Sequence, residues 1–352
     1  MSYVHGWAAM NLEMPSRVPR TEFSADMHWD LINTVVGSDV SWQSDPQEQA
    51  RAAEEFVKAW EYDFMWSTLI GDDYLDGRKT DMGHAVYAAG GVDKRDPKPS
   101  PFKDVEEVYS FDPEEEYGIL PKDEIVKLFE EAYDNNCKRF PGCVNCSGVY
   151  ITMFSGFIAT FGWEMLLLAI GYDPHRFGLV AKRWEKWISQ FYIAFAESTV
   201  PIFMCHDDIV WTSGPVVAPE WYREYIFPAY KRLWTPLIDS GKKVLFTSDG
   251  DYTEFIDDIA ASGAHGFVLE PTTDMAYIAQ KYGNTHVFIG NADTRILLRG
   301  SKEDIRAEVE RCMSIGKSYP GFFMAVGNHI PPNTPVENAL YYNEIYEELS
   351  LR

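Results

Sequence analysis

The chain has 352 residues, 46% of them apolar, enough to bury one large core and too many for extensive disorder. Its 31 basic residues stand against 54 acidic ones, and the formal charge of −23 argues against nucleic acid and anionic membrane surfaces, which would be repelled at long range. Neutral, cationic or metal-bound ligands are favoured instead.

The N-terminal MSYVHGWAAMNLEMPSRVPR lacks the basic start, apolar run and cleavage site of a signal peptide, so a cytoplasmic location is expected. Residues 1–55 are expected to form an N-terminal, helical extension, followed by a first strand in WEYDFMW (60–66). The acidic, proline-bearing segment 94–118 reads as a surface loop or lid. Of the five cysteines, Cys143 and Cys146 form a lone CxxC; without a second pair it completes no zinc site, and buried thiols are the expectation. Residues 147–171 carry a single charge, Glu164, and are long enough for a membrane span. Ser155, Gly156 and Gly162 divide them into a strand-like half, with GVYITMF, and a helical half, so a buried strand and helix are expected.

From about residue 180 apolar strands alternate with amphipathic helices. VPIFM (200–204) ends at Cys205, His206, Asp207 and Asp208, and KKVLF (242–246) ends at Asp249, Gly250 and Asp251. GFVL then ends at Glu270, HVFI at Asn291 and Asp293, and FFMAV at Asn328 and His329, with SKEDIRAEVERCMSIG between the last two opening on a Ser-x-x-Asp capping box. Fully apolar strands between amphipathic helices indicate a parallel sheet covered on its outer face. At least seven such strands in this length suit a (β/α)8 TIM barrel better than an open, doubly wound sheet.

In such a barrel the residues after the strands converge on one mouth. His206, Asp207, Asp208, Asp249, Asp251, Glu270, Asn291, Asp293, Asn328 and His329 occupy these ends with no Lys or Arg among them. Carboxylates gathered there repel one another unless a cation or a proton resolves the repulsion. Asp and Asn at strand ends also cap the following helices or make turns, as Asp249 before Gly250 does. That alternative is weakest for Glu270, a poor cap followed by Pro271.

GNADTRILLRGSKEDIRAEV, GNHIPPNTPVEN and PEWYREYIFPAYKRLWTPLIDSGKKVLFTSDGD resemble the uroporphyrinogen decarboxylase superfamily over roughly residues 180–345. RVPRTEFSADMHWDL and TDMGHAVYAAGG fit it more loosely. The resemblance implies a TIM barrel and either a porphyrinogen decarboxylase or a cobamide-dependent methyltransferase. A decarboxylase needs a basic tract for its polycarboxylate, and only Arg17 and Arg20 stand near the matching place. Thiol-alkylating members bind zinc through His-x-Cys and a late Cys, where this chain has Thr247, Asp249 and Asn328, with His329 one place later. The loss of thiolates implies harder ligation, suited to polarising an oxygen atom.

The branch that RVPRTEF and the Ser-Asp-Gly strand end resemble best demethylates methoxylated aromatic compounds, passing the methyl group to the cobalt(I) of a corrinoid on a separate small protein. Carried over, the resemblance implies a metal, zinc by analogy, held by Asp249, Glu270 and His329 with His206 in reserve and Asp208 orienting. Asp208, Asp249 and Glu270 become the catalytic group; Asn291, Asp293 and Asn328 face substrate or its loops, with Asp63 and His84 further candidates. It is compatible with a homodimer. A decarboxylase or lyase of a small carboxylate, and a non-catalytic corrinoid- or ligand-binding barrel, are the alternatives.

Overall fold

The computed structural model describes residues 2–82 and 98–352. In chain order its strands are β1 (Phe64–Met65), β2 (Val144–Asn145), β3 (Ser147–Val149), β4 (Ile202–His206), β5 (Val210–Trp211), β6 (Gly214–Pro215), β7 (Lys243–Thr247), β8 (Gly266–Val268), β9 (Val287–Ile289) and β10 (Phe322–Phe323). Six of them form a parallel sheet in the order β10-β9-β8-β7-β4-β3, β1 pairs with β2, and β5 and β6 make a small antiparallel hairpin.

The sheet closes through the segment around Arg20. Met324 N–H donates to Pro19 O at 2.8 Å and Thr21 N–H to Met324 O at 3.1 Å, while Asp63 N–H donates to Arg20 O at 2.9 Å and Val144 N–H to Asp63 O at 2.8 Å. The result is a TIM barrel, its ring completed by residues assigned from sequence to an extension. That expectation is corrected: the segment pairs only through isolated bridges, such as Arg20 with Met324 and Phe23 with His329, and has no apolar run for a pattern search to find. The helix Ser2–Met10 does lie outside the ring and plugs its lower end, with Ala9 and Met10 in the apolar cluster inside the barrel.

Alternation along the strands explains why they read as continuously apolar. Phe64, Val144, Ile202, Met204, Leu245, Val268, Ile289 and Phe323 fill the interior. Phe203, Phe246, Phe267 and Phe288 belong to the larger cluster beneath the helices, where Phe203 meets Tyr192 and Phe195, and Phe246 meets Tyr230. Both faces are therefore dry. The helix Lys302–Gly316 begins with the expected capping box between Ser301 and Asp304.

Two further expectations change. The described part of the supposed lid, residues 98–118, holds the helices Val105–Ser110 and Pro113–Tyr117, with Val108, Tyr109 and Phe111 buried. Arg183 fixes it by donating to Phe111 O at 2.8 Å and Tyr109 O at 2.6 Å. Its charges face water while its few apolar residues dock on the helix Pro174–Glu197, a division that composition alone concealed. The apolar stretch after β3 forms the helices Phe154–Phe161 and Trp163–Tyr172, bent by 111° at the break. No single described helix is long and apolar enough to cross a membrane.

Candidate metal centre and active site

Strand parity decides which side chains reach the mouth. Met204 points inward, so His206, two residues on, does too; Leu245 leads by the same rule to Thr247 and Asp249, and Val268 to Glu270. Asp208 joins them through a tight turn in which Ile209 N–H donates to Asp207 O at 2.9 Å, folding residue 208 back over residue 206. His206 Nε2 and Asp208 Oδ1 are 3.1 Å apart, and the same oxygen accepts the Asp249 N–H at 3.0 Å.

Ligand atoms of His206, Asp208 and Asp249 all lie within 4.8 Å of one another. Two ligands on one zinc ion at ~2.1 Å are at most about 4.2 Å apart, so small side-chain rotations close the set. His206 Nδ1 is buried with no hydrogen-bond partner, while Nε2 faces Asp208. The Tyr150 ring packs on the imidazole at 4.0 Å between centroids and its hydroxyl lies 3.4 Å from Asp208 Oδ2; Trp66 meets the imidazole at 5.6 Å.

These groups open on a cavity of about 250 Å³, lined also by Glu22, Phe23, Met27 and Trp66. Glu22, Asp26, Asp249 and Glu270 are its carboxyl groups, and no Lys or Arg is among its lining residues. The titration behaviour follows. Burial and the neighbouring Asp208 push the Asp249 carboxyl up to about 6, against the pull of His206, although one edge of the side chain is open to the cavity. Burial and Asp249 push Glu270 up to about 8, with a hydrogen bond from Asn328 opposing. Burial, the largest influence, would lower His206; the carboxylates of Asp208, Asp249 and Asp207 together outweigh it and the net direction is upward. His329 goes the other way, to about 4, through burial and repulsion from His206, and so is a neutral imidazole at pH 7.

Expected site residues are thus partly gathered. His206, Asp249, Glu270, Asn328 and His329 line the cavity, where Asn328 donates to Glu270 Oε1 and Ser24 Oγ lies 2.5 Å from His329 Nδ1. The tight cluster, however, is His206, Asp208 and Asp249, rather than Asp249, Glu270 and His329. Asp208, expected to orient a ligand, stands within the cluster itself because the turn at Asp207 folds it inward, and His206, the reserve candidate, stands beside it.

The remaining described candidates lie outside the cavity. Asp63 precedes β1 at the opposite end of the barrel, fully buried and paired with Arg17 at 2.9 Å and with the Arg20 N–H at 2.9 Å. Asn291 faces backbone, donating to Glu270 O and Thr273 O at 3.2 Å each and accepting from Arg311 at 3.0 Å. Asp293 caps the helix Thr294–Arg299, Asp251 accepts from the Thr253 N–H at 3.0 Å, and Asp207 pins the turn after β3 by accepting from the Met153, Phe154 and Ser155 N–H groups and the Tyr230 hydroxyl. His84 lies outside the described residues.

Glu22 was not singled out from sequence. It is bound by Arg20 at 2.8 Å, the Tyr342 hydroxyl at 2.8 Å and the Val326 N–H at 3.0 Å, and Arg-x-Glu spacing on an extended segment was the available signal. Two glycines let the rim close. A Cβ on Gly250, at φ +90°, would meet the Trp211 carbonyl at 2.5 Å, and one on Gly327 would meet Pro271 Cδ at 2.3 Å.

A family model described as uroporphyrinogen decarboxylase (URO-D) matches residues 98–349, most of the chain. The chain belongs to the URO-D family. Uroporphyrinogen decarboxylase of Coxiella burnetii is 27% identical over 146 residues, and that of Thermus thermophilus 30% identical over 134. The chain spans about two fifths of the length of these curated relatives, 40% and 38%. Among solved structures, a methyltransferase from Methanosarcina mazei superposes with a TM-score of 0.65 at 15% identity, covering 99% of this chain and 98% of its own, which establishes the shared fold.

Proposed function

We propose that this URO-D family member moves a methyl group from a methoxylated aromatic compound to the cobalt(I) of a corrinoid carried by a separate small protein. The observation that supports it is the cavity itself: four carboxyl groups, two imidazoles and no lining Lys or Arg suit a bound cation with a neutral aryl ether and oppose a polycarboxylate. His206, Asp208 and Asp249 would hold the cation, and their nitrogen and oxygen donors fit zinc or a harder divalent ion better than a thiolate-seeking one. Bound there, the ion would act as a Lewis acid toward the ether oxygen.

The chain's own residues have separate tasks on this reading. Tyr150 and Trp66 fix the His206 ring by packing, and the Tyr150 hydroxyl meets the Asp208 oxygen that His206 does not use. Asn328 donates to Glu270 Oε1, leaving Oε2 for the substrate side. Burial favours the protonated form of Glu270, and that form would give its proton to the phenolate oxygen when the carbon–oxygen bond breaks and its electron pair stays on oxygen. Phe23, Met27 and Met65 give the ring an apolar bed and keep water from the reacting methyl group.

The test is metal analysis of the purified protein, then spectroscopy of a reduced corrinoid protein mixed with it and a panel of methoxybenzenes. The methyl-cobalt spectrum is expected with at least one member. Its absence with bound metal and a competent corrinoid protein overturns the proposal and shifts the assignment to decarboxylation of a small carboxylate.

A further inference from the structure

Ser155 divides the long apolar stretch 147–171, and the structure buries it completely. A hydroxyl in such a place costs free energy unless it is bonded. Here it is bonded to the backbone of the metal cluster: Ser155 Oγ accepts the Asp208 N–H at 2.7 Å, and the Ser155 N–H donates to Asp207 Oδ1 at 2.5 Å. The loop that carries Ser155 grips the rest of the same turn. Thr152 Oγ1 donates to His206 O at 3.0 Å, and the Met153 and Phe154 N–H groups donate to Asp207 Oδ2 at 3.1 Å each.

That loop is braced in turn. Trp184 Nε1 donates to Thr152 O at 2.5 Å, and a Cβ on Gly156 would meet the Trp184 ring at 2.2 Å, so glycine is what lets the indole lie against the chain. Tyr230, stacked on Trp234 at 4.7 Å between centroids, donates its hydroxyl to Asp207 Oδ2 at 2.5 Å. The planar peptide between Asp207 and Asp208 is therefore held at both ends: its oxygen accepts the Ile209 N–H at 2.9 Å, and its N–H is the one that Ser155 takes. The plane of this peptide sets the direction in which the Asp208 side chain leaves the turn. Without the hydroxyl its N–H is buried and unpaired, and a rotation that finds it another partner swings the carboxylate away from His206.

We infer that Ser155 is a positioning residue of the metal centre: its hydroxyl fixes the peptide between Asp207 and Asp208 and through it holds the Asp208 carboxylate within ligating distance of His206 and Asp249. This rests on the cation site of the proposed function and not on the methyl transfer. Ser155 is not among the residues that line the cavity, so its effect on a bound ion passes through Asp208.

The experiment is competition between the purified full chain and a chelator for cobalt(II), whose visible spectrum reports its ligands. Ser155→Ala is expected to weaken cobalt(II) binding about tenfold and to shift that spectrum. Asp208→Asn weakens binding as well, and adding Ser155→Ala to it is expected to cost nothing further, because the carboxylate through which Ser155 acts is gone. Ser198→Ala removes another buried hydroxyl, one that accepts the Val200 N–H at 3.3 Å ahead of β4, and as the matched control leaves the affinity unchanged. Tyr230→Phe loosens Asp207 with Ser155 in place, and serves where Ser155→Ala does not fold; its loss should likewise vanish in Asp208→Asn. Unchanged affinity in these variants, or a loss that adds to that of Asp208→Asn, overturns the inference. An unmodified protein that takes up no cobalt(II) overturns the proposed metal site and the inference with it. Uptake that depends on Ser155 without methyl transfer sinks the transfer reading and leaves the part of Ser155 intact.

Discussion

The two ends of the barrel use the same residue types to opposite effect. At the lower end Asp63 is fully buried, and Arg17, the Arg20 N–H and, at 4.0 Å, His5 surround it. At the upper end His206, Asp208, Asp249 and Glu270 crowd together with no lining cation. Burial pushes Asp63 up to about 7 even so, against the pull of Arg17, yet the chain supplies its partners; at the mouth imidazoles alone face these carboxyl groups, which are held at a cost that a bound cation would relieve.

Removing a carboxylate from each end is the sharpest way to break this contrast. Asp63→Ala leaves Arg17, whose side chain is 11% exposed, with only the exposed Glu61 as its ion partner, at 3.8 Å, and should lower unfolding stability by about 3 kcal/mol in urea titration. Metal content should stay unchanged. Asp249→Ala should do the converse: methyl transfer falls roughly 10²–10³-fold and bound metal is lost, while the metal-free protein is at least as stable as its parent. Destabilisation by Asp249→Ala as large as by Asp63→Ala would erase the distinction between the ends.

Acidity sharpens it further. Glu270 carries a folded pKa of about 8 against an ordinary 4.5, so the folded metal-free protein holds a proton that the unfolded chain releases. Stability from this group is present below about pH 4.5 and is lost as pH rises toward 8. Thermal melts of metal-free protein should therefore fall across that window, and Glu270→Gln should flatten the fall, by up to about 4 kcal/mol at pH 8. Added zinc should restore stability at the upper end of the window. The smallest effect is expected of Tyr150→Phe, which keeps the ring on His206 and removes the hydroxyl 3.4 Å from Asp208: metal affinity weakens roughly 10-fold, read by competition with a chelator, with melting unchanged.

Much of this was legible in the chain. The strands from Ile202 onward, the capping box at Ser301 and the gathering of acidic residues at strand ends all follow from apolar runs and local turn chemistry. The ring closure at Arg20 was not, because single bridges leave no periodic trace. Nor was the docking of residues 98–118, whose few buried side chains are outnumbered by solvated charges. At the site, Glu270 and Asp293 followed each other by the same strand-end logic, yet one lines the main cavity and the other caps a helix beside Arg295.

The sequence by itself determined that apolar strands alternate with amphipathic helices and that acids follow those strands, since both are set by local period and composition. Only the tertiary structure decided which acids meet. The turn at Asp207 brings Asp208 over His206, Arg17 claims Asp63, and the Glu270 and Thr273 carbonyls claim Asn291. The partners that fix these choices, including the Met153, Phe154 and Ser155 N–H groups that pin Asp207, lie 18 to 54 residues away, and a charge becomes functional or structural according to which partner the fold delivers.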